Sequence, residues 1–368
     1  MGKDGFRFLL MLTASLVFLI PALRAEFLFV ANGQDKTISG YSVGSDGTLK
    51  LVPGSPFPGL SSEVSLAVDP RGRFLYALGI GTGPILGYNI ESNGALTPVL
   101  GSPFAQALSP QAFAVDPFGK FLYIANLRDN VSGYRIEGNG GLVPIPGSPF
   151  AAGYLPAGVV VEPKGEYVYE INLGDSTVWG YHIEKDGALV PTVDSPFGVG
   201  YPTYFALPPV YVVPTLAKGE LVYVMNFQLQ VYRIQCQGAL VQFPGQPLNV
   251  PVSGPGVLVV DPKGEFAFIV TVFANQLNPV LVTCKIGDNG DLTPIPSTQI
   301  PASDLVSLAV DSTGAFLFVI NSSNGLTVYG VGDDGSLTPV KGSPYPTGVG
   351  PKAVVVTPNP RHPLALSH

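Results

Sequence analysis

An all-β fold of seven repeated, four-stranded antiparallel sheets is what this sequence predicts, and three recurring signatures predict it. The first is a turn glycine followed two residues later by leucine. It reads DGTL (Asp46 to Leu49), NGAL (Asn93 to Leu96), NGGL (Asn139 to Leu142), DGAL (Asp186 to Leu189), QGAL (Gln237 to Leu240), NGDL (Asn289 to Leu292) and DGSL (Asp334 to Leu337). Its glycines fall at 47, 94, 140, 187, 238, 290 and 335, six intervals that span 288 residues and average 48. A fixed period of that size marks an array of supersecondary units. The second signature alternates with the first: VDPRGRF (Val68 to Phe74), VDPFGKF (Val115 to Phe121), VEPKGEY (Val161 to Tyr167), VDPKGEF (Val260 to Phe266), VDSTGAF (Val310 to Phe316) and a degenerate LAKGEL (Leu216 to Leu221). The third is GSPF at Gly54, Gly101 and Gly147, with SPF at Ser195 and GSPY at Gly342.

These signatures cut each unit into four short segments rich in Val, Ile, Tyr and Phe and bounded by Gly, Pro, Asn and Asp, which is strand composition. In the second unit they read SLAVD, FLYAL, ILGYNI and LTPVL. Asp-Gly and Asn-Gly between such segments are hairpin signals, because glycine supplies the positive φ that tight turns require. Each unit is therefore a four-stranded meander. A lone sheet cannot bury two apolar faces, so seven pack face to face, and a ring leaves only short, protected edges. The ends of the chain agree with closure. FLFVAN (Phe27 to Asn32) is a second-strand pattern without a first strand before it, and KAVVVTP (Lys352 to Pro358) is a first-strand pattern with nothing after it. The two should pair and complete one blade of a seven-bladed β-propeller.

Residues 1–25 read differently. Lys3 and Arg7 precede an apolar run from Phe8 to Ile20, then Pro21 and a small residue at Ala25. That is a secretory leader, too short to span a bilayer, and its removal leaves no stable membrane insertion. The expected layout is leader 1–25, propeller 26–360 and tail 361–368, in a monomer exported to the periplasm or the medium. Charged residues make up only 12 % of the chain and the formal charge is −7. Losing Lys3, Arg7, Arg24 and Asp4 with the leader takes it to −9. With no basic cluster, nucleic acid is excluded as a partner. Cys236 and Cys284 stand at different offsets from their turn glycines, so two free thiols, buried or half-buried, are expected rather than a disulfide.

In a meander blade the DPxG and DGxL turns share one face of the ring, and their repetition marks them as folding devices. Asp69, Asp116, Glu162, Asp261 and Asp311 are thus read as turn caps, not as an acidic ring. The variable loops occupy the other face, where all blades converge on the channel. The second strands end there in a recurring asparagine (Asn32, Asn126, Asn172, Asn226, Asn321), whose side chain is expected to bond loop backbone. Candidate ligand-binding residues on that face are Glu63, Gln111, Arg128, Tyr154, Asp175, Tyr201, Tyr204, Asp304 and Lys352. Tyrosines beside amides suit a small, polar, uncharged ligand such as a sugar, and an envelope protein is the other expected partner. His182 occupies a solvated strand position. No catalytic residue, metal site or cofactor is assigned. GDNGD at Gly287 and GDDG at Gly332 coincide with the repeated hairpin rather than with a calcium loop.

The repeat xxVDPxGxFLYxxN followed by GYxIxxDGxLTPVxGSPF resembles the seven-bladed lactonase family, a group similar to 6-phosphogluconolactonase and to propeller muconate-lactonising enzymes. It also resembles surface-layer and periplasmic propellers with the YVTN-type repeat. The lactonase resemblance implies a carboxylic ester hydrolase that uses a Pro-His stretch before one inner strand, Pro-Arg-His before a later one, and Asn-Glu at the end of a second strand. The matching positions here are Gln111 and Ala112, then Ala157 and Gly158, then Leu173 after Asn172, with Glu170 out of register. Lactone hydrolysis needs a base and an oxyanion donor. The expectation is therefore a binding or interaction scaffold, with a sugar lactonase as the alternative and a surface-layer or envelope structural protein as a third reading.

Overall fold

The computed structural model describes residues 26–60, 64–81, 83–104, 109–199, 221–225, 229–243, 257–271, 280–295, 300–301, 305–323 and 325–358. The expected leader and tail lie outside them. The described residues form strands and turns, with a single 3-10 turn at Cys236–Gly238. Seven antiparallel sheets result, one per repeat. Blade 1 runs outward as Pro351–Val356, Phe27–Asn32, Thr37–Val43 and Leu49–Leu51. Blade 2 is Val64–Val68, Phe74–Gly79, Ile85–Ile90 and Leu96–Pro98. Blade 3 is Pro110–Val115, Phe121–Asn126, Asn130–Ile136 and Leu142–Pro144. Blade 4 is Pro156–Val161, Tyr167–Asn172, Thr177–Ile183 and Leu189–Pro191. Blade 5 is described as Leu221–Met225, Leu229–Ile234 and Leu240–Gln242. Blade 6 is Val257–Val260, Phe266–Thr271, Val280–Ile286 and Leu292–Pro294, and blade 7 is Leu305–Val310, Phe316–Asn321, Gly325–Val331 and Leu337–Pro339.

The four-strand expectation needs one amendment. After the outer strand, the GSPF segment turns back so that its aromatic end pairs with the third strand, as Phe57–Pro58, Phe150–Ala151 and Phe197–Gly198 do in blades 1, 3 and 4. Ile300–Pro301 does the same in blade 6. The Ser-Pro bond of all five motif copies is cis. Each motif serine accepts a third-strand amide, Gly133 N to Ser148 Oγ at 2.9 Å being one case. The motif is thus a hydrogen-bonded clasp, which composition alone does not reveal.

The second strands are covered on both faces, and successive residues pack alternately against the two neighbouring blades. In blade 1, Phe27, Phe29 and Ala31 pack against blade 2, while Leu28 and Val30 pack against blade 7. Seven apolar clusters result, each spanning two neighbouring sheets, and the sequence 1–2, 2–3, 3–4, 4–5, 5–6, 6–7, 7–1 closes the ring. Polar bolts cross the same interfaces. A second-strand tyrosine donates to the turn-glycine carbonyl of the next blade: Tyr76 to Gly140 at 2.9 Å, Tyr123 to Gly187 at 2.8 Å, Tyr169 to Gly238 at 3.0 Å and Tyr223 to Gly290 at 2.9 Å. Phe29, Phe268 and Phe318 fill the same place in blades 1, 6 and 7. Tyr123→Phe is thus expected to keep the packing and orphan the Gly187 carbonyl, lowering unfolding free energy by about 1–2 kcal/mol in a urea titration.

Ring closure occurs as expected. Phe29 pairs with Val355 and Val30 with Val354, and Phe27 and Thr357 exchange two hydrogen bonds of 2.8 Å. Across the same seam the Tyr41 hydroxyl donates to the Pro346 carbonyl. Glu26 lies against the Asp311 turn of blade 7, its Oε1 accepting from Ser312 N at 3.3 Å, and burial together with Asp311 pushes its pKa up to about 7.

The repeated turn acids are caps, as read. Asp69, Asp116, Asp261 and Asp311 each accept the backbone amide five residues on, at 2.8, 2.6, 2.7 and 2.8 Å, and Glu162 does so at 3.2 Å. Both cysteines are free. Cys284 is buried, whereas Cys236 is exposed because it opens the blade 5 hairpin turn, which corrects the expectation of two covered thiols.

Candidate functional site at the channel mouth

The innermost strands surround the channel, and their contacts run from blade 1 to 2, 3 and 4 and from 6 to 7 to 1. The face carrying the second-to-third loops and the blade-to-blade linkers forms its mouth. Four inner strands enter it through a β-bulge. In blade 3 the ladder passes from Ala125 opposite Ala112 to Asn126 opposite Pro110, leaving Gln111 unpaired. Blade 1 skips Lys352, blade 4 skips Ala157 and blade 7 skips Val306 in the same way. In every case the slip lies opposite a second-strand asparagine. A bulge frees one residue from the ladder and re-aims its side chain. Of the four bulge residues, Lys352 and Gln111 are polar and half-buried, whereas Ala157 is buried and Val306 packs against the cluster between blades 7 and 1.

In blades 1, 3 and 4 the asparagine opposite the bulge bonds toward the third strand. Asn32 Nδ2 donates to Thr37 Oγ1 at 3.1 Å and Ser39 Oγ at 3.0 Å, and Asn126 Nδ2 to Asn130 Oδ1 at 2.8 Å and Ser132 Oγ at 2.9 Å. Asn172 Nδ2 reaches Thr177 Oγ1 at 3.3 Å. The expected partner was loop backbone. The actual partners are mainly hydroxyls and an amide on the third strand, two or more residues along the hairpin.

Loop carboxylates hold the linkers down. Asp175 accepts Thr177 Oγ1 at 2.6 Å on one oxygen and Tyr154 N at 3.0 Å on the other. Asp129, from the neighbouring blade, accepts Leu155 N at 3.0 Å. The linker between blades 3 and 4 is therefore held from both sides. Asp35 repeats the device at the seam between blades 7 and 1, accepting Val349 N at 2.8 Å. Close approach requires glycine here. A Cβ on Gly153 would stand 2.5 Å from Asn172 Cγ, and one on Gly174 would stand 2.1 Å from the Tyr154 ring.

Of the sequence candidates, Tyr154 and Asp175 are brought together on that linker, Asp175 as a structural anchor and Tyr154 with 56 % of its surface exposed. Gln111 and Lys352 occupy equivalent bulges two blades apart, and the Gln111 amide donates to its neighbour Pro110 at 3.2 Å. Arg128 is exposed on the blade 3 loop, and its carbonyl accepts Asn130 Nδ2 at 2.9 Å. Glu63, Tyr201, Tyr204 and Asp304 lie outside the described residues. His182 is exposed beside Glu184, 3.4 Å away, as its solvated position implied. No group of three or more His, Cys, Asp or Glu side chains able to hold a metal occurs among the described residues. Glu170, read from the sequence only as a carboxyl out of register with the family motif, has no site role in that reading. It is wholly buried between blades 3 and 4, and its only sequence signal is a carboxyl where other blades carry an aliphatic residue.

Residues 24–154 match the family model Lactonase, 7-bladed beta-propeller, a stretch covering most of blades 1 to 3. No curated protein matches the chain. Among solved structures, a candidate 6-phosphogluconolactonase of Bacteroides fragilis is 16 % identical with a TM-score of 0.72, over 91 % of this chain and 98 % of that one. A Lactobacillus plantarum protein is 17 % identical with a TM-score of 0.71, over 90 % and 99 %. The periplasmic gluconolactonase PpgL of Pseudomonas aeruginosa is 17 % identical with a TM-score of 0.69, over 91 % and 99 %. At these identities the likeness is one of fold. The chain thus resembles the lactonase propellers in sequence over its first blades and in architecture around the whole ring. Among the described residues no helix is long and apolar enough to cross a membrane.

Proposed function

We propose that the mouth of the channel binds a cyclic ester of a polyhydroxy acid and opens it with water, a carboxylic ester hydrolysis. The observation that carries this reading is the match of residues 24–154 to the lactonase propeller family. In the reaction, water adds to the carbonyl, the ring C–O bond breaks, and the ring oxygen takes up the proton that the base removed. Lys352 is the cation proposed for the oxyanion, and Gln111 is a further amide donor at an equivalent bulge. Glu63 and Asp304 are candidates for the base, since each directly precedes the first described residue of an inner strand in blades 2 and 7. Residues 1–25 are the proposed leader, and export by it would give access to such lactones outside the cytoplasm.

The test is turnover of gluconolactones by the purified chain lacking residues 1–25. Loss of activity in Glu63→Ala or Asp304→Ala is expected to identify the base. A second reading, a ligand-binding scaffold without turnover, draws on Ala112, Ala157, Gly158 and Leu173, which are apolar where the family resemblance calls for His, Arg and Glu. Thermal stabilisation by gluconolactone with no release of acid would establish that reading in place of the first.

A further inference from the structure

The fourth residue of each second strand faces the preceding blade, and in six blades it is Val30, Ala77, Ile124, Val224, Ile269 or Val319. Blade 4 has Glu170 there, with no exposed surface and neither carboxylate oxygen in a hydrogen bond of ordinary geometry. It pairs with Val159 on one side and Trp179 on the other. The Trp179 indole nitrogen, Asn172 Oδ1 and Ser176 Oγ are buried without partners as well. A segment of ten residues thus concentrates unmet polar atoms directly beneath the linker that Asp129 and Asp175 hold down.

Burial is the largest influence on Glu170 and favours its neutral form. Burial raises its pKa well above the ordinary 4.5, and Asp175 and Asp129, the charges that act on it, raise it further; the Asn172 side chain and the Gly153 amide oppose this only in part. The inner strand of blade 4 brings no titratable side chain. From its third strand comes Tyr181, itself pushed up by burial and by Glu170, while His182 lies on the exposed side next to Glu184. Across the interface, Tyr123 is committed to Gly187 and Arg135 is exposed and paired with Glu137. The linker adds Tyr154, which is largely exposed.

We propose that Glu170 is a proton-held latch on the channel mouth: neutral, it leaves the linker Ala152–Leu155 seated, and ionised it must be hydrated, which lifts that linker. An isolated buried carboxylate is costly, and the Gly153 amide places the linker itself beside Glu170. The sign follows from linkage. The folded pKa exceeds the unfolded one, so the stability this site contributes is complete below about pH 4.5 and is lost as pH rises toward the folded value. Glu26 titrates in the same direction at another interface, so global melting cannot isolate the latch.

Amide exchange of residues 153–155 isolates it, measured from pH 5 to 9 and corrected for intrinsic rates, with Glu170→Gln and Glu170→Val beside the parent. In the parent, protection of these amides is expected to fall about tenfold for each unit of pH above the onset. Both variants are expected to hold it constant, Glu170→Val because it restores the residue type of the other blades. The same fall in both variants would overturn the proposal, as would constant protection in the parent. Glu170→Gln retains shape, so the result stands even where valine perturbs packing. The readout requires no turnover, and the latch therefore stands or falls separately from the lactonase reading.

Discussion

Gly187→Val is expected to destabilise the chain by about 3 kcal/mol or more. Gly187 closes the blade 4 hairpin with φ +91, a conformation that costs a non-glycine residue about 1–2 kcal/mol, and more when it is β-branched. Space adds to the strain. A Cβ there would sit 2.5 Å from the Phe121 ring and 2.8 Å from Ile145 Cδ1, both on blade 3. Overpacking of that kind costs about 1–3 kcal/mol, and the displaced backbone would also part the Gly187 carbonyl from Tyr123. The control is Gly138→Ala, where a Cβ meets nothing within 4 Å and φ is not positive, so little change is expected. Equal urea midpoints for Gly187→Val and the parent would refute the claim that the turn glycine is an inter-blade contact and not merely a hinge of its own hairpin.

The same residues show what the sequence could and could not convey. The period, the hairpins and the closing strand were legible because each depends on a residue type that only one local geometry tolerates or that alternates with the pleat. Gly187 signals a tight turn, and the alternation of Phe27 to Ala31 with Leu28 and Val30 signals a strand covered on both faces. The bulges were not legible. Gln111 and Lys352 sit in runs such as PQAFAV and PKAVVV, where one unpaired residue changes neither composition nor length. The second role of Asp175 was hidden for a related reason: its partner, Tyr154 N, is a backbone group 21 residues earlier. Glu170 was visible as a misplaced carboxyl, but only the packing of blade 3 against it shows that it has no counter-charge.

That difference gives the activity prediction its form. Lys352 is half-buried at the mouth end of its strand, and methionine keeps the length of its side chain, so Lys352→Met is expected to shift the thermal midpoint only slightly. Lactone turnover should nevertheless fall about 10²- to 10³-fold, the usual consequence of removing one oxyanion-stabilising group. The fall belongs in kcat with KM little altered, since the charge is needed where negative charge develops and not where the neutral lactone rests. Gln111→Leu, which removes a neutral donor at the equivalent bulge of blade 3, should cost less. Were Lys352→Met to raise KM alone, Lys352 would be a ground-state contact; were it to change neither constant, the chemistry would have to lie away from the bulges. Burial is what separates the two quantities: Lys352 is only half-buried, whereas Phe113 on the inner strand of blade 3 is buried in the cluster between blades 2 and 3, so altering it would perturb the fold and the site together.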